Sequence, residues 1–249
     1  MHALALVLAT PLFGLSLDVP TTPGPLLPPG YLAPLPAPLV LDPGPPAESL
    51  LEEEGDEGGA AVASDRATLS EEDRERLTQR RLELGRIHRA LGIATWASML
   101  VTVTLGIIQF YNKYGFFENQ ASNPCTSGGA IFGQDQCWGD PWAHRVSWIT
   151  TTTLYTATFT LSLLLPDPNN LAEARGDYAD KLRTHKTLRW VHLGGMIAQL
   201  FLGLLVSQNW FGLDRTNNYG ALQGIAAAHL GVGLLTFGTL TAAGALMVF

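Results

Sequence analysis

Four long apolar runs occupy the chain from residue 90 to its end, and each is free of charged side chains through its central part. They cover residues 90–112, 146–166, 190–213 and 216–249. Each has about 20 residues or more, which is enough to cross roughly 30 Å of hydrocarbon at about 1.5 Å per residue. Because lipid offers backbone amides no hydrogen-bonding partner, such spans must be helices. The pattern therefore predicts an all-α integral membrane protein.

The connections between the runs predict how the helices are arranged. A long loop, 110–141, joins the first two runs, a polar loop, 167–187, joins the next two, and a tight turn, 214–220, precedes the last. These connections favour an up-down-up-down four-helix transmembrane bundle with antiparallel neighbours. Ahead of the first run, the charged segment 71–86 is rich in strong helix formers and follows a capping-box spacing at Thr68 to Glu71. It predicts a lead-in helix that continues into the first span.

The segment that precedes the lead-in helix has a different character. The apolar run 3–17 has the length of a signal-peptide core, but no Lys or Arg precedes it and no clear small-x-small cleavage site follows it. Residues 1–17 are therefore either a signal peptide or an uncleaved apolar segment. Residues 18–67 are rich in proline and then in acids, which predicts a disordered linker. The folded domain is expected over residues 68–249.

Charge is scarce and unevenly distributed. The chain has 22 Asp and Glu against 15 Lys and Arg, and only 15% of its residues are charged, whereas soluble domains have about 25%. Half of the acids lie between Glu48 and Glu75, ahead of the first span. The low charge argues against a soluble enzyme. An acidic chain without a basic face interleaved with aromatics also argues against nucleic-acid binding.

Four histidines are distributed one per predicted span: His88, His144, His192 and His229. In an up-down bundle, the heads of spans one and three share the membrane face of the N-terminal arm, and those of spans two and four share the opposite face. The histidines then form two pairs, His88 with His192 and His144 with His229, and each pair reaches across the core from diagonal helices. His185, seven residues before His192 and on nearly the same helix face, is an alternative to it. We prefer His192, because His185 precedes the predicted span.

A haem fits between such a pair, since its iron takes two axial imidazoles from opposite sides and its apolar ring needs small residues where it presses on backbone. Glycines do lie close to the histidines in the sequence: Gly92, Gly194, Gly195, Gly231 and Gly233. The same glycines also suit close packing of membrane helices without any cofactor. A histidine at a span boundary, such as His88 or His144, can likewise lie among lipid headgroups without binding a metal.

The four-helix core, roughly residues 88–249, resembles the cytochrome b561 family and its di-haem relatives. The resemblance rests on the segments IHRALGIATWASMLVTVTLG, AHRVSWITTTTLYTATFTLSLLL, WVHLGGMIAQLFLGLL and AAHLGVGLLTFGTL. In that family, four helices carry one histidine each, hold two b-type haems and pass electrons across the bilayer. The resemblance implies two haem b groups here, with His88 and His192 as iron ligands of one and His144 and His229 of the other. No ascorbate-binding motif of the family is recognisable.

The two cysteines, Cys125 and Cys137, lie in the first loop without a CxxCH motif or neighbouring histidines, which argues against covalent haem and zinc. A disulfide is expected, and it requires an oxidising compartment outside the cytoplasm. Eleven Lys and Arg on the arm-side face against three on the cysteine-loop face also predict a cytoplasmic arm-side face. A cleaved signal peptide would reverse that orientation. We prefer the charge and the cysteines, with a bacterial inner membrane as the location.

The sequence thus predicts a di-haem b-type cytochrome that transfers single electrons between carriers on the two membrane faces, either alone or as an oxidoreductase subunit. One alternative is a haem-bearing anchor that passes electrons between quinone and a partner redox subunit, and another is a cofactor-free membrane interaction protein. The expected partners are membrane lipid and a small-molecule or protein electron donor and acceptor; a homodimer is left open. Candidate quinone contacts are Gln109, Gln199 and Gln208. Candidate partners of haem propionates or of an anionic donor are Lys181, Arg183, Lys186 and Arg189.

Overall fold

The computed structural model of the protein describes residues 69–139, 141–207 and 210–248. Within these ranges the chain is helical and contains no strand. Its four long helices are α1 (Glu71–Tyr114), α2 (Trp142–Leu164), α3 (Asp177–Ser207) and α4 (Tyr219–Val248). Short helical turns at Pro124–Ser127, Gln134–Cys137 and Trp210–Gly212 lie in the loops. The predicted signal segment, 1–17, and linker, 18–67, fall outside the described residues.

Three of these helices, α1, α3 and α4, are long and apolar enough to cross a membrane, judged by length and composition. This confirms the predicted all-helical class with membrane-spanning helices. Helix α2 has 23 residues and therefore sufficient length. Its hydropathy is lowered by seven threonines at positions 150–153, 156, 158 and 160.

Helix α1 runs without a break through the charged lead-in segment and the first predicted span. Its 44 residues extend over about 66 Å, so it reaches well beyond the hydrocarbon layer. Ser70 is its N-cap and accepts a hydrogen bond from the Asp73 amide at 3.1 Å, two residues after the cap position expected at Thr68. This cap gives the first turn three acids, which interact favourably with the helix dipole. The helix ends at Gly115, whose φ of 54° suits glycine.

Three pairs of the long helices pack extensively against each other. Helix α1 packs against α2 and α4, and α4 packs against α3. Helices α2 and α3 meet through Phe159 and Trp190, whose ring centroids are 5.7 Å apart. Between α1 and α2, the hydroxyl of Thr151 is bonded to those of Ser98 at 2.7 Å and Thr102 at 2.9 Å. A threonine that lowers the hydropathy of α2 thus has its polar group satisfied against a neighbouring helix.

The loop between α1 and α2 is tied to the end of α1. Cys125 and Cys137 form a disulfide within it. The side chain of Asn112 donates to the Ile131 carbonyl at 3.0 Å and accepts from the Ile131 amide at 2.8 Å. Arg215, in the turn before α4, donates to the Cys137 carbonyl at 2.7 Å. These bonds join the loop to the helix ends at the cysteine-loop face.

Candidate functional site

A histidine of α1 and a histidine of α3 lie close together. The rings of His88, on α1, and His185, on α3, lie at right angles with centroids 6.2 Å apart and an interplanar angle of 87°. The pairing expected from the sequence was His88 with His192, and His185 was the alternative. The structure brings His88 together with His185.

Both rings are oriented by backbone carbonyls of the other two helices. The Nδ1 atom of His88 lies 3.1 Å from the Thr158 carbonyl oxygen on α2, and Nδ1 of His185 lies 2.9 Å from the Ala243 carbonyl oxygen on α4. A carbonyl oxygen only accepts, so each Nδ1 carries the proton. In the neutral rings, the lone pair is then on Nε2, the nitrogen that is available to ligate a metal.

The spacing of the two rings suits an iron between them. Two metal–imidazole bonds of about 2.0 Å, with about 1.1 Å from each nitrogen to its ring centroid, separate the centroids by about 6 Å. Gly85 and Gly92 lie about one turn before and one turn after His88. A Cβ at Gly85 would meet no atom within 4 Å, and one at Gly92 would meet only a Thr158 methyl at 4.0 Å. The ring spacing is therefore compatible with two imidazoles that bind one iron.

His192 has a different partner. It is buried in the helix core, and its Nδ1 lies 2.8 Å from the hydroxyl of Tyr155 on α2. The two rings are perpendicular, with centroids 5.5 Å apart, and Met99 and Met196 pack beside Tyr155. The hydrogen bond between them satisfies two polar groups that would be costly to bury alone. His192 therefore joins α2 to α3, in addition to facing the core as expected.

The other two predicted histidines lie towards the cysteine-loop face, each against a glycine. A Cβ at Gly106 of α1 would lie 3.6 Å from Cε1 of His144, and one at Gly203 of α3 would lie 3.2 Å from Cε1 of His229. The His144 ring thus faces α1, and the His229 ring faces α3. An added Cβ would crowd the His229 ring at Gly203, whereas at Gly106 it would make an ordinary van der Waals contact with His144.

These two glycines were not singled out from the sequence, although a periodic signal marks them. The spacing from His88 to Gly106 is the same as the spacing from His185 to Gly203. It corresponds to about five full helical turns, or about 27 Å, so each glycine lies on the same helix face as the histidine before it. Helices α1 and α3 therefore carry a histidine near the arm-side face and a glycine in register near the cysteine-loop face.

Most of the basic candidates have acidic partners. Lys181 pairs with Asp177 at 2.9 Å, Arg183 pairs with Asp180, and Lys186 lies 3.5 Å from Asp167. Arg189 forms no ion pair with a carboxylate among the described residues.

Of the glutamine candidates, Gln199 has a hydrogen-bond partner for its side chain and Gln109 has a side-chain oxygen without one in the described part of the chain. Gln199 donates to the His229 carbonyl oxygen at 2.5 Å, which gives it a structural role between α3 and α4. The Oε1 atom of Gln109 is buried without a hydrogen-bond partner in the described part of the chain and, with His144, lines a small cavity. Gln208 lies outside the described residues.

No group of three or more His, Cys, Asp or Glu side chains suited to a metal ion occurs in the described part of the chain. A bis-imidazole site needs only two protein ligands, so the pair of His88 and His185 is the relevant arrangement. The chain matches no family model, no curated protein and no solved structure.

Proposed function

We propose that the protein is a membrane cytochrome with two b-type haems that passes single electrons between carriers on the two membrane faces. His88 and His185 hold the arm-side haem, and His144 and His229 hold the one towards the cysteine-loop face. The observation that carries the proposal is the opposed pair of His88 and His185 with both Nδ1 atoms bonded to backbone carbonyls. This is the arrangement that orients metal-binding imidazoles.

The alternative for His88 and His185 is that they are interfacial histidines that bind no cofactor. Such histidines have no need to lie 6.2 Å apart on different helices, nor to have both tautomers set by carbonyls of two further helices. The two orienting bonds come from α2 and α4, so all four helices contribute to this one arrangement. That cooperation favours a shared ligand over two independent boundary residues.

The second haem site is supported by glycines that face its histidines. Gly106 and Gly203 leave room beside His144 and His229 on helix faces that continue those of His88 and His185. Two sites separated by about five helical turns along the same pair of helices would give the electron a path through the membrane. When bound, haem supplies the one-electron chemistry. The chain supplies imidazoles of defined tautomer and an apolar surrounding that excludes water.

We further propose that α2 crosses the membrane as the fourth helix of an up-down-up-down bundle. Its threonine hydroxyls are compatible with lipid, because Thr153, Thr156 and Thr158 each donate to the carbonyl oxygen four residues earlier. The basic residues near α1 and α3 favour a cytoplasmic arm-side face. The disulfide favours an oxidising compartment on the other side, as at a bacterial inner membrane.

Haem content tests the proposal directly. Protein produced with haem supplied should show a b-type reduced-minus-oxidised spectrum and about two haems per chain by pyridine haemochrome. His88→Ala and His144→Ala should each lose one haem and retain the other, because the two pairs are independent. A folded, stable but colourless protein would contradict the proposal and support a cofactor-free interaction protein.

The second candidate function is a haem-bearing anchor that exchanges electrons with quinone. It is favoured by Gln109, whose buried Oε1 lacks a partner beside His144 among the residues that the structure describes. A quinone analogue should then shift the spectrum of the loop-side haem, and Gln109→Leu should abolish the shift. An unchanged spectrum with saturating analogue would leave the free-standing cytochrome as the better description.

A further inference from the structure

Arg189 is a cation at the start of a membrane-spanning segment, and no acid in the described ranges pairs with it. It lies on α3, four residues after His185 and therefore on the same helix face. One guanidinium NH2 group donates to the Ser162 carbonyl oxygen at 3.1 Å, and the guanidinium carbon lies 5.2 Å from the Trp190 ring centroid. Its Nε atom is buried without a hydrogen-bond partner among the described residues.

The contacts of Arg189 place its guanidinium towards the start of α3 and the end of α2. Helical side chains slant towards the N-terminus of their helix, so Arg189 reaches back towards the arm-side face. There it contacts Ser162, two residues before the last residue of α2. The Ser162 carbonyl lies about one helical turn after the Thr158 carbonyl that His88 contacts. A positive charge therefore adjoins the site that we assign to the arm-side haem.

Partial burial of a cation costs free energy unless an anion or hydrogen bonds compensate it, and Arg189 is half-buried. The neighbouring cations Lys181, Arg183 and Lys186 all pair with carboxylates of the chain, whereas Arg189 contacts a carbonyl and an aromatic face. Its Nε atom has almost no exposed surface. Arg189 therefore retains guanidinium donors for an anion that the described residues do not supply.

We propose that Arg189 binds a carboxylate of the arm-side haem, namely a propionate, and so sets the orientation of the ring between His88 and His185. This rests on the proposed function. The guanidinium offers two parallel N–H donors, a geometry that matches a carboxylate. The other source of anionic oxygen near this face of a membrane is a phospholipid headgroup, and the experiment separates the two.

The test compares haem with its dimethyl ester, in which both carboxylates are blocked. Apoprotein carrying His144→Ala, which leaves only the arm-side site, is titrated with each porphyrin in neutral-lipid micelles, and Kd is read from the Soret band. With Arg189 intact, free-acid haem should bind about tenfold to a hundredfold more tightly than the ester, the range for a charge-assisted hydrogen bond. Arg189→Gln should remove this preference without weakening ester binding. Arg189→Lys should retain part of it.

Arg183→Gln is the matched control, because Arg183 lies on the same helix but is exposed and paired with Asp180. It should keep the full preference for free-acid haem. A preference that persists in Arg189→Gln, or an equal loss for both porphyrins, would overturn the role of Arg189. The role of Arg189 would also be overturned if the effect of Arg189→Gln on haem binding depended on added anionic phospholipid rather than on blocking the haem carboxylates. If haem binds through His88 and His185 but the free acid binds no more tightly than the ester, this inference alone is refuted. If no haem binds, the proposed function is refuted as well.

Discussion

The neighbouring glycines Gly194 and Gly195 of α3 provide a sharp test of the packing between α3 and α4. An added Cβ at Gly195 would collide with the Thr236 hydroxyl of α4 and lie 3.0 Å from both Thr236 Cβ and Cγ2. A Cβ at Gly194 would meet no atom within 4 Å. The two Gly→Ala substitutions thus make the same chemical change in the same helix, but only one of them fills a close contact.

The expected cost follows from what Thr236 can do. Its side chain is buried, and its hydroxyl donates to the Val232 carbonyl oxygen at 2.7 Å. Because the Cβ atom of Thr236 is itself too close, rotation of its side chain cannot remove the clash, and α3 must shift. Overpacking of this kind costs about 1–3 kcal/mol, and loss of the hydrogen bond adds about 1 kcal/mol. Gly195→Ala should therefore destabilise the protein by roughly 2–4 kcal/mol.

Gly194→Ala should instead be neutral or stabilising by up to about 1 kcal/mol, because alanine favours helix more than glycine does. The assay is equilibrium unfolding in mixed micelles, followed by far-ultraviolet circular dichroism, with both variants measured beside the parent protein. A Gly195→Ala variant as stable as Gly194→Ala would refute the close approach of α3 and α4 at Thr236.

Three further predictions concern the loop, the α1–α2 contact and the loop-side histidine. Cys125→Ser should lower the free energy of unfolding by about 3 kcal/mol, because the disulfide closes a loop with a sequence separation of 12; reductant should destabilise the parent protein equally and the variant not at all. Thr151→Val should cost about 1–3 kcal/mol, measured by the same unfolding assay, since two hydroxyls of α1 lose their shared partner. Gly203→Ala should alter the low-spin electron paramagnetic resonance signal of one haem only, because its Cβ would press on His229 at 3.2 Å; identical spectra for variant and parent would refute that contact.

Hydropathy predicted the apolar parts of the helices but not their full lengths. Helix α3 begins at Asp177, several turns before the predicted span at 190, and includes the second half of the predicted polar loop 167–187. Helix α1 begins at Glu71, before the predicted span at 90, as its lead-in segment predicted from helix propensity rather than from hydropathy. The reason is that their charged leading turns are helical without being apolar. Helix α4 begins at Tyr219, close to the predicted end of its turn. No local sequence pattern predicts the two hydrogen bonds between the Asn112 side chain and the Ile131 backbone, because they depend on where the cysteine loop returns to α1.

The sequence indicated one histidine per predicted span and favoured His192 over His185 as the partner of His88, whereas the structure places His185 beside His88. Seven residues separate His185 and His192 on one face of α3, so the choice depends on the axial register between α1 and α3, which no sequence pattern reports. The carbonyl groups of Thr158 and Ala243 that orient the two histidines cannot be predicted from residue type either, because every residue carries a carbonyl group. Gly106 and Gly203, in contrast, could have been found by extending each histidine face through about five helical turns.

The most direct test of the account is the haem-to-protein ratio of His185→Ala beside that of His192→Ala. If His185 is the partner of His88, its alanine variant should hold one haem per chain, whereas His192→Ala should hold two. His192→Ala should nevertheless be less stable than the parent protein, because the hydroxyl of Tyr155 loses its buried partner at 2.8 Å. One haem in His192→Ala and two in His185→Ala would contradict the assignment.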